Sequence, residues 1–134
     1  MSKTILFMCP HGAAKSVMAM TYFQKLADEK GLEITAEAAG PFPDEVTNPK
    51  TVALMTEEGF DLSKHTPRKV TARDISQADK VVSLGCELGD LPNTDNAAIT
   101  QIIQWDDVPL PSQGIDASWE KIKSKVEDLI FELS

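Results

Sequence analysis

KTILFMCPHGAAKSV, residues 3–17, carries the reading on which the fold depends. Lys3 to Cys9 is an almost unbroken apolar run with aromatic and β-branched members. It is too short for a helix and suits a strand buried on both faces. Small residues with a proline and a histidine follow, from Pro10 to Ala14. From Ala14 to Lys30 the apolar residues Ala19, Met20, Phe23, Leu26 and Ala27 recur at helical spacing, and Gly31 supplies the stop. The stretch is therefore a strand, a short loop and a helix.

Outward from it, LEITAEA (32–38) alternates apolar and polar residues and reads as an outer strand, followed by the loop GPFPDEVTNP. Asn48 caps a second helix, Pro49 occupies its first turn and Gly59 ends it. TARDISQAD (71–79) reads as a short helix. DKVVSLGC (79–86) then repeats the pattern of the first strand and again ends at a cysteine. GDLPNTDN is turn-rich, AITQIIQW (98–105) is the last expected strand, and DDVPLPSQG is a proline-broken loop. Trp119, Ile122, Val126, Leu129, Ile130 and Leu133 form the apolar stripe of a C-terminal helix, with Asp116 or Ser118 placed to cap it. Four strands alternating with helices predict an α/β domain with a parallel sheet and right-handed crossovers. The length of 134 residues, 42% of them hydrophobic and 25% charged, fits one domain over residues 1–134.

The formal net charge of −8 argues against a nucleic-acid surface, which needs a basic patch. No stretch approaches the roughly 20 consecutive apolar residues of a membrane span, and the initial apolar run is too short for a signal peptide. A cytoplasmic protein with neither membrane nor nucleic-acid partner is expected. Two cysteines are too few for a disulfide scaffold, and His11 and His65 lack metal-ligand spacing, so neither a metal nor another cofactor is expected.

Ligands of open α/β sheets bind beyond the carboxyl ends of the strands, and Cys9 occupies such an end. In the loop after it, backbone N–H groups can turn inward while the helix N-terminus adds about half a positive charge. An oxyanion of phosphate size would fit that concavity, held by His11, Gly12, Ala13, Ala14, Lys15 and Ser16. The same field favours a reactive thiolate at Cys9, to which Ser16 would donate a hydrogen bond. The run GAAKS is not a Walker A loop, because position 14 is alanine and no glycine stands five residues before it.

Cysteine, five residues, a cation and then serine, at the end of the first strand of a small α/β domain, resembles the Cys-x5-Arg-Ser/Thr signature of low-molecular-weight protein tyrosine phosphatases and the related arsenate reductases. The segment AEAAGPFPDEVTNPKTVALMTEEGFDLSKHTPRKVTARDISQADKVVSLGC is similar to the part of those enzymes between the second and third strands. WDDVP (105–109) is similar to their acidic Asp-Pro loop. The resemblance implies a flavodoxin-like, three-layer α/β/α fold with a four-stranded parallel sheet of order 2-1-3-4. It also implies that Cys9 is the nucleophile and that Asp107 or Asp106 is the general acid.

The chain departs from that pattern at several points. Lysine replaces the loop arginine at position 15, and a point charge cannot reproduce a bidentate grip on two oxygens. Pro10 removes one amide beside the nucleophile. Val108 separates Asp107 from Pro109, and the acidic loop lacks aromatic residues to sandwich a phosphotyrosine ring. Cys86 ends the third strand, which the implied order places beside the first, about 4.8 Å away in the pairing direction. That resembles the thiol-coupled arsenate reductases, although their further cysteine before a proline is Leu91 here. Three readings follow: a phosphate-monoester hydrolase working through a cysteinyl-phosphate; an arsenate reductase using Cys9 with Cys86 or an external thiol reductant; and a catalytically weak or inactive relative that keeps the anion pocket.

Overall fold

The computed structural model describes residues 3–62, 65–86, 102–109 and 114–133. Within them the chain runs β1 (Lys3–Met8), α1 (Lys15–Glu29), β2 (Ile34–Ala39), α2 (Pro49–Glu57), α3 (Ala72–Gln77), β3 (Lys80–Ser83), β4 (Ile102–Gln104) and α4 (Ile115–Leu133). All strand pairs are parallel, in the order β2-β1-β3-β4. The flavodoxin-like α/β/α arrangement expected from the sequence is therefore the one observed.

β1 is apolar and buried from Ile5 to Met8 because it lies between two neighbours and under helices on both faces. Ile5 and Phe7 point into the larger core, with Val17, Phe23, Met55, Trp105, Trp119, Ile122 and Val126 from the α1, α2 and α4 side. Leu6 and Met8 point the other way, against Val70, Ile75 and Val81. The alternation of a pleated strand distributes one continuous hydrophobic run between two cores. Phe7 anchors the larger one, its ring tilted against Phe23 at 5.7 Å and Trp105 at 6.0 Å. Tyr22 and Trp119 meet edge to face at 5.4 Å where α1 packs on α4. The Tyr22 hydroxyl donates to Glu127 Oε1, and burial together with that carboxylate pushes its pKa up to about 12.

Local signals account for most element ends. Asn48 Oδ1 accepts from the Lys50 N–H ahead of α2, and Thr71 and Asp74 form a reciprocal capping box on α3. Gly31, at φ +69, closes α1 with its N–H donating to Asp28 O. Three details differ from the sequence reading. β3 stops at Ser83, because Gly85 at φ +91 leaves the extended conformation. α4 begins at Ile115, so Asp116 and Ser118 both lie inside its first turn, and Ser118 Oγ donates to Pro109 O instead of capping the helix. Of the expected strand 98–105, residues 102–104 are strand, Trp105 lies past its end, and residues 98–101 lie outside the described residues.

Candidate active site

The register sets the site. Met8 pairs with Ala39 on one side and Ser83 on the other, so β1, β2 and β3 end together. Cys9 continues β1 by one residue, its N–H donating to Ala39 O at 3.3 Å and its side chain packed in the larger core. From there the chain turns through Pro10–Ala14 into α1.

The loop is held from outside by the segment that follows β2. The N–H of Phe42 donates to Pro10 O at 2.9 Å, that of Asp44 to His11 O at 3.1 Å, and that of Asn48 to Ala13 O at 2.9 Å. Each trans peptide plane points its N–H opposite to its C=O. The amides of His11, Gly12 and Ala14 are therefore turned away from that segment. Gly12 is an exception to the expected cradle, because its N–H is used on Cys9 O at 3.2 Å. Ala14, at the N-cap, offers no side-chain cap to α1, so the first-turn amides depend on another acceptor.

Two glycines make this packing feasible. Gly12 lies at φ +58, with Ala39 C and Gly40 N 3.1 Å from where its Cβ would stand. At Gly40 a Cβ would collide with Cys9 O and stand 2.7 Å from Gly12 N. Gly40 was not singled out by sequence reasoning; its only signal was its place directly after a strand.

The side chains meet unevenly. Cys9 Sγ and Ser16 Oγ are 3.1 Å apart in a buried hydrogen bond, and Ser16 is fully enclosed. Lys15 is only 6% exposed, and its Nζ lies 3.0 Å from the Cβ position of Gly85. Among the described residues it makes no ion pair. The helical first turn thus carries an enclosed ammonium beside the end of β3. His11 is on the rim instead, its Nδ1 2.9 Å from Phe42 O and 3.7 Å from Asp44 Oδ1.

Cys86 follows Gly85 directly, yet its side chain packs with Leu6, Met8, Val70 and Ile75, in the core on the opposite face from Cys9. Both cysteines are buried thiols. Their strands are neighbours as expected, but the two side chains belong to different cores.

The segment after β4 is fastened to α4. Asp107 Oδ1 is 2.8 Å from Lys125 Nζ, and Oδ2 is 3.3 Å from Lys121 Nζ. The Lys125 contact, aided by Lys121, holds the carboxyl below its ordinary pKa. Asp107 is thus an exposed carboxylate paired with two lysines of α4. Asp106, beside it, is exposed and carries no ion pair among the described residues.

The sequence profile of the family described as low molecular weight phosphotyrosine protein phosphatase matches residues 4–133. The chain belongs to that family. Arsenate reductase 2 of Staphylococcus haemolyticus is 32% identical over 84 residues, which cover 61% of the chain and 60% of that relative. The low molecular weight protein-tyrosine-phosphatase YfkJ of Bacillus subtilis is 30% identical over 89 residues, 63% of the chain and 57% of YfkJ. The chain is thus matched to these relatives over only about three-fifths of their own length. The crystal structure of YfkJ superposes with a TM-score of 0.85 at 22% identity, covering 99% of the chain and 95% of YfkJ. An arsenate reductase in its phosphate-binding state superposes with a TM-score of 0.74 at 26% identity, covering 98% of the chain and 99% of that protein. Phosphatases and arsenate reductases are both enzymes, and the family of this chain contains both kinds.

Proposed function

We propose that the chain is a cysteine-dependent phosphate-monoester hydrolase. The observation that carries this reading is the buried Cys9–Ser16 pair at 3.1 Å in front of an uncapped helix N-terminus, whose first-turn Lys15 ammonium is enclosed beside the end of β3. A hydroxyl that donates to sulfur stabilises the thiolate and later the departing thiolate. An enclosed cation with no carboxylate partner among the described residues suits an anion supplied by the substrate.

In this mechanism the Cys9 thiolate attacks phosphorus, and the bond between phosphorus and the ester oxygen breaks. Lys15 and the amides of His11, Ala13, Ala14, Lys15 and Ser16 take the charge of the non-bridging oxygens. The leaving oxygen receives a proton from Asp106. Water, giving a proton to the same carboxylate, then attacks the cysteinyl-phosphate and releases inorganic phosphate and the thiolate. Lysine contributes charge without the fork of arginine, so turnover is slower than an arginine loop would give. The test is hydrolysis of p-nitrophenyl phosphate by the wild type and by Cys9→Ser, with mass-spectrometric trapping of phosphocysteine. Equal rates in the two proteins would sink the reading.

A second reading, arsenate reduction, is supported by the likeness to arsenate reductases, one of them solved in its phosphate-binding state. Cys9 would attack arsenic(V) with loss of water. A second thiolate, from an external thiol or from Cys86 once its side chain has left the core on the opposite face, would then attack Cys9 sulfur, forming a disulfide and releasing arsenite. Two thiols supply the two electrons. Loss of two titratable thiols per arsenate consumed supports it, and an unchanged thiol count removes it.

A further inference from the structure

The contacts of Asp107 assign it a role other than proton transfer. Each of its two carboxylate oxygens meets a different ammonium, Oδ1 that of Lys125 and Oδ2 that of Lys121. A proton on either oxygen would displace one of those contacts. The two lysines stand four residues apart and so share one face of α4. The rest of the segment is fixed to the same helix and core: Val108 is buried in the larger core, Ser118 Oγ donates to Pro109 O, and Lys125 Nζ lies 5.7 Å over the Trp105 ring.

We propose that Asp107 is a positioning residue, a two-point ionic clasp that registers the segment after β4 on α4, and that proton transfer is left to Asp106. The second half rests on the phosphatase reading. A clasp and a proton donor respond oppositely to loss of the lysines. Removing them disables a clasp as thoroughly as removing Asp107 does. A proton donor survives their loss, because the carboxyl then protonates more readily.

The experiment compares Asp107→Asn, the double variant Lys121→Met/Lys125→Met and Asp106→Asn with the wild type. One readout is hydrogen exchange at the amides of residues 106–108. The other is the dependence of rate on leaving-group pKa across aryl phosphates from p-nitrophenyl to phenyl. Asp107→Asn and the double lysine variant should both raise exchange by about tenfold while the leaving-group slope stays that of the wild type. Asp106→Asn should lose about 100-fold on phenyl phosphate and much less on the p-nitrophenyl ester, as expected for removal of a general acid. The clasp is overturned if Asp107→Asn steepens the slope, or if exchange is unchanged in both clasp variants. An unaltered slope in Asp106→Asn overturns its assignment as donor. Should no ester be hydrolysed faster than by Cys9→Ser, the phosphatase reading and the donor assignment fail together, and the exchange data alone decide the clasp.

Discussion

The ammonium of Lys15 occupies the space that a side chain on Gly85 would need, 3.0 Å from the Cβ position. One glycine therefore serves two ends, a backbone at φ +91 that closes β3 and a seat for the loop cation. The cation enters the site from α1, but where it rests is set by β3.

Gly85→Ala should weaken binding of inorganic phosphate, because the new methyl group pushes the ammonium out of its seat. A lost charged hydrogen bond corresponds to roughly 10- to 100-fold in affinity, and partial displacement places Gly85→Ala near the lower end. Lys15→Met should reach the upper end without backbone strain. Calorimetric titration with phosphate measures both, and unchanged affinity in Lys15→Met would remove the lysine from the binding site.

Ser16→Ala removes the hydroxyl 3.1 Å from the Cys9 sulfur. Alkylation of Cys9 by iodoacetamide at neutral pH should slow several-fold, since the thiolate is the reacting form. Phosphate occupancy should protect Cys9 in the wild type. An alkylation rate equal to that of the wild type would reduce Ser16 to a packing residue.

Gly40→Ala should be among the most damaging small substitutions in the chain. The added carbon collides with Cys9 O and approaches Gly12 N to 2.7 Å, and both are backbone atoms of the nucleophile loop. Overpacking of this kind costs roughly 1–3 kcal/mol or more. Urea denaturation should show that loss together with weaker phosphate binding. Alanine at Gly59, which lies at φ +93 but has nothing within 4 Å of its Cβ position, separates backbone strain from collision.

Stability should fall on mild acidification because of His65. Burial lowers its pKa, so the folded state holds the neutral ring while the unfolded chain takes up a proton near the ordinary value of about 6.5. The contribution of His65 is thus complete above that value, declines as pH falls below it, and levels off once the folded form also protonates. His65→Leu should flatten the stability profile between about pH 7 and about pH 5. It would also remove the buried Nε2, which has no hydrogen-bond partner among the described residues. Urea midpoints at several pH values test this, and parallel profiles for variant and wild type would exclude His65 as the source.

Much of the fold was legible because it rests on local signals and on one buried strand. A continuous apolar run such as ILFM (5–8) is best accommodated where both faces are covered, which favours a place for β1 in the middle of a parallel sheet. Asn48, Pro49 and the Thr71/Asp74 box act within one helical turn, so α2 and α3 start where the sequence places them. Element ends governed by distant partners were less legible. Ser118 resembled a cap but bonds to Pro109, and β3 yields to Gly85 before reaching Cys86.

The site divides in the same way. The sequence by itself determined that Cys9, Lys15 and Ser16 flank one strand-to-helix loop, because their spacing and the helix after Ala14 are local properties of the chain. Only the tertiary structure decided what each faces. Cys86 turns to the opposite core because its position past the end of β3 sets the side of the sheet, and Gly40 is required because β2 ends level with β1. Asp107 is bound by lysines on a helix that the sequence could not orient toward it. Spacing along a chain fixes which residues travel together. Charge pairing and close backbone approach depend on distances through space, which only the packed sheet and helices create.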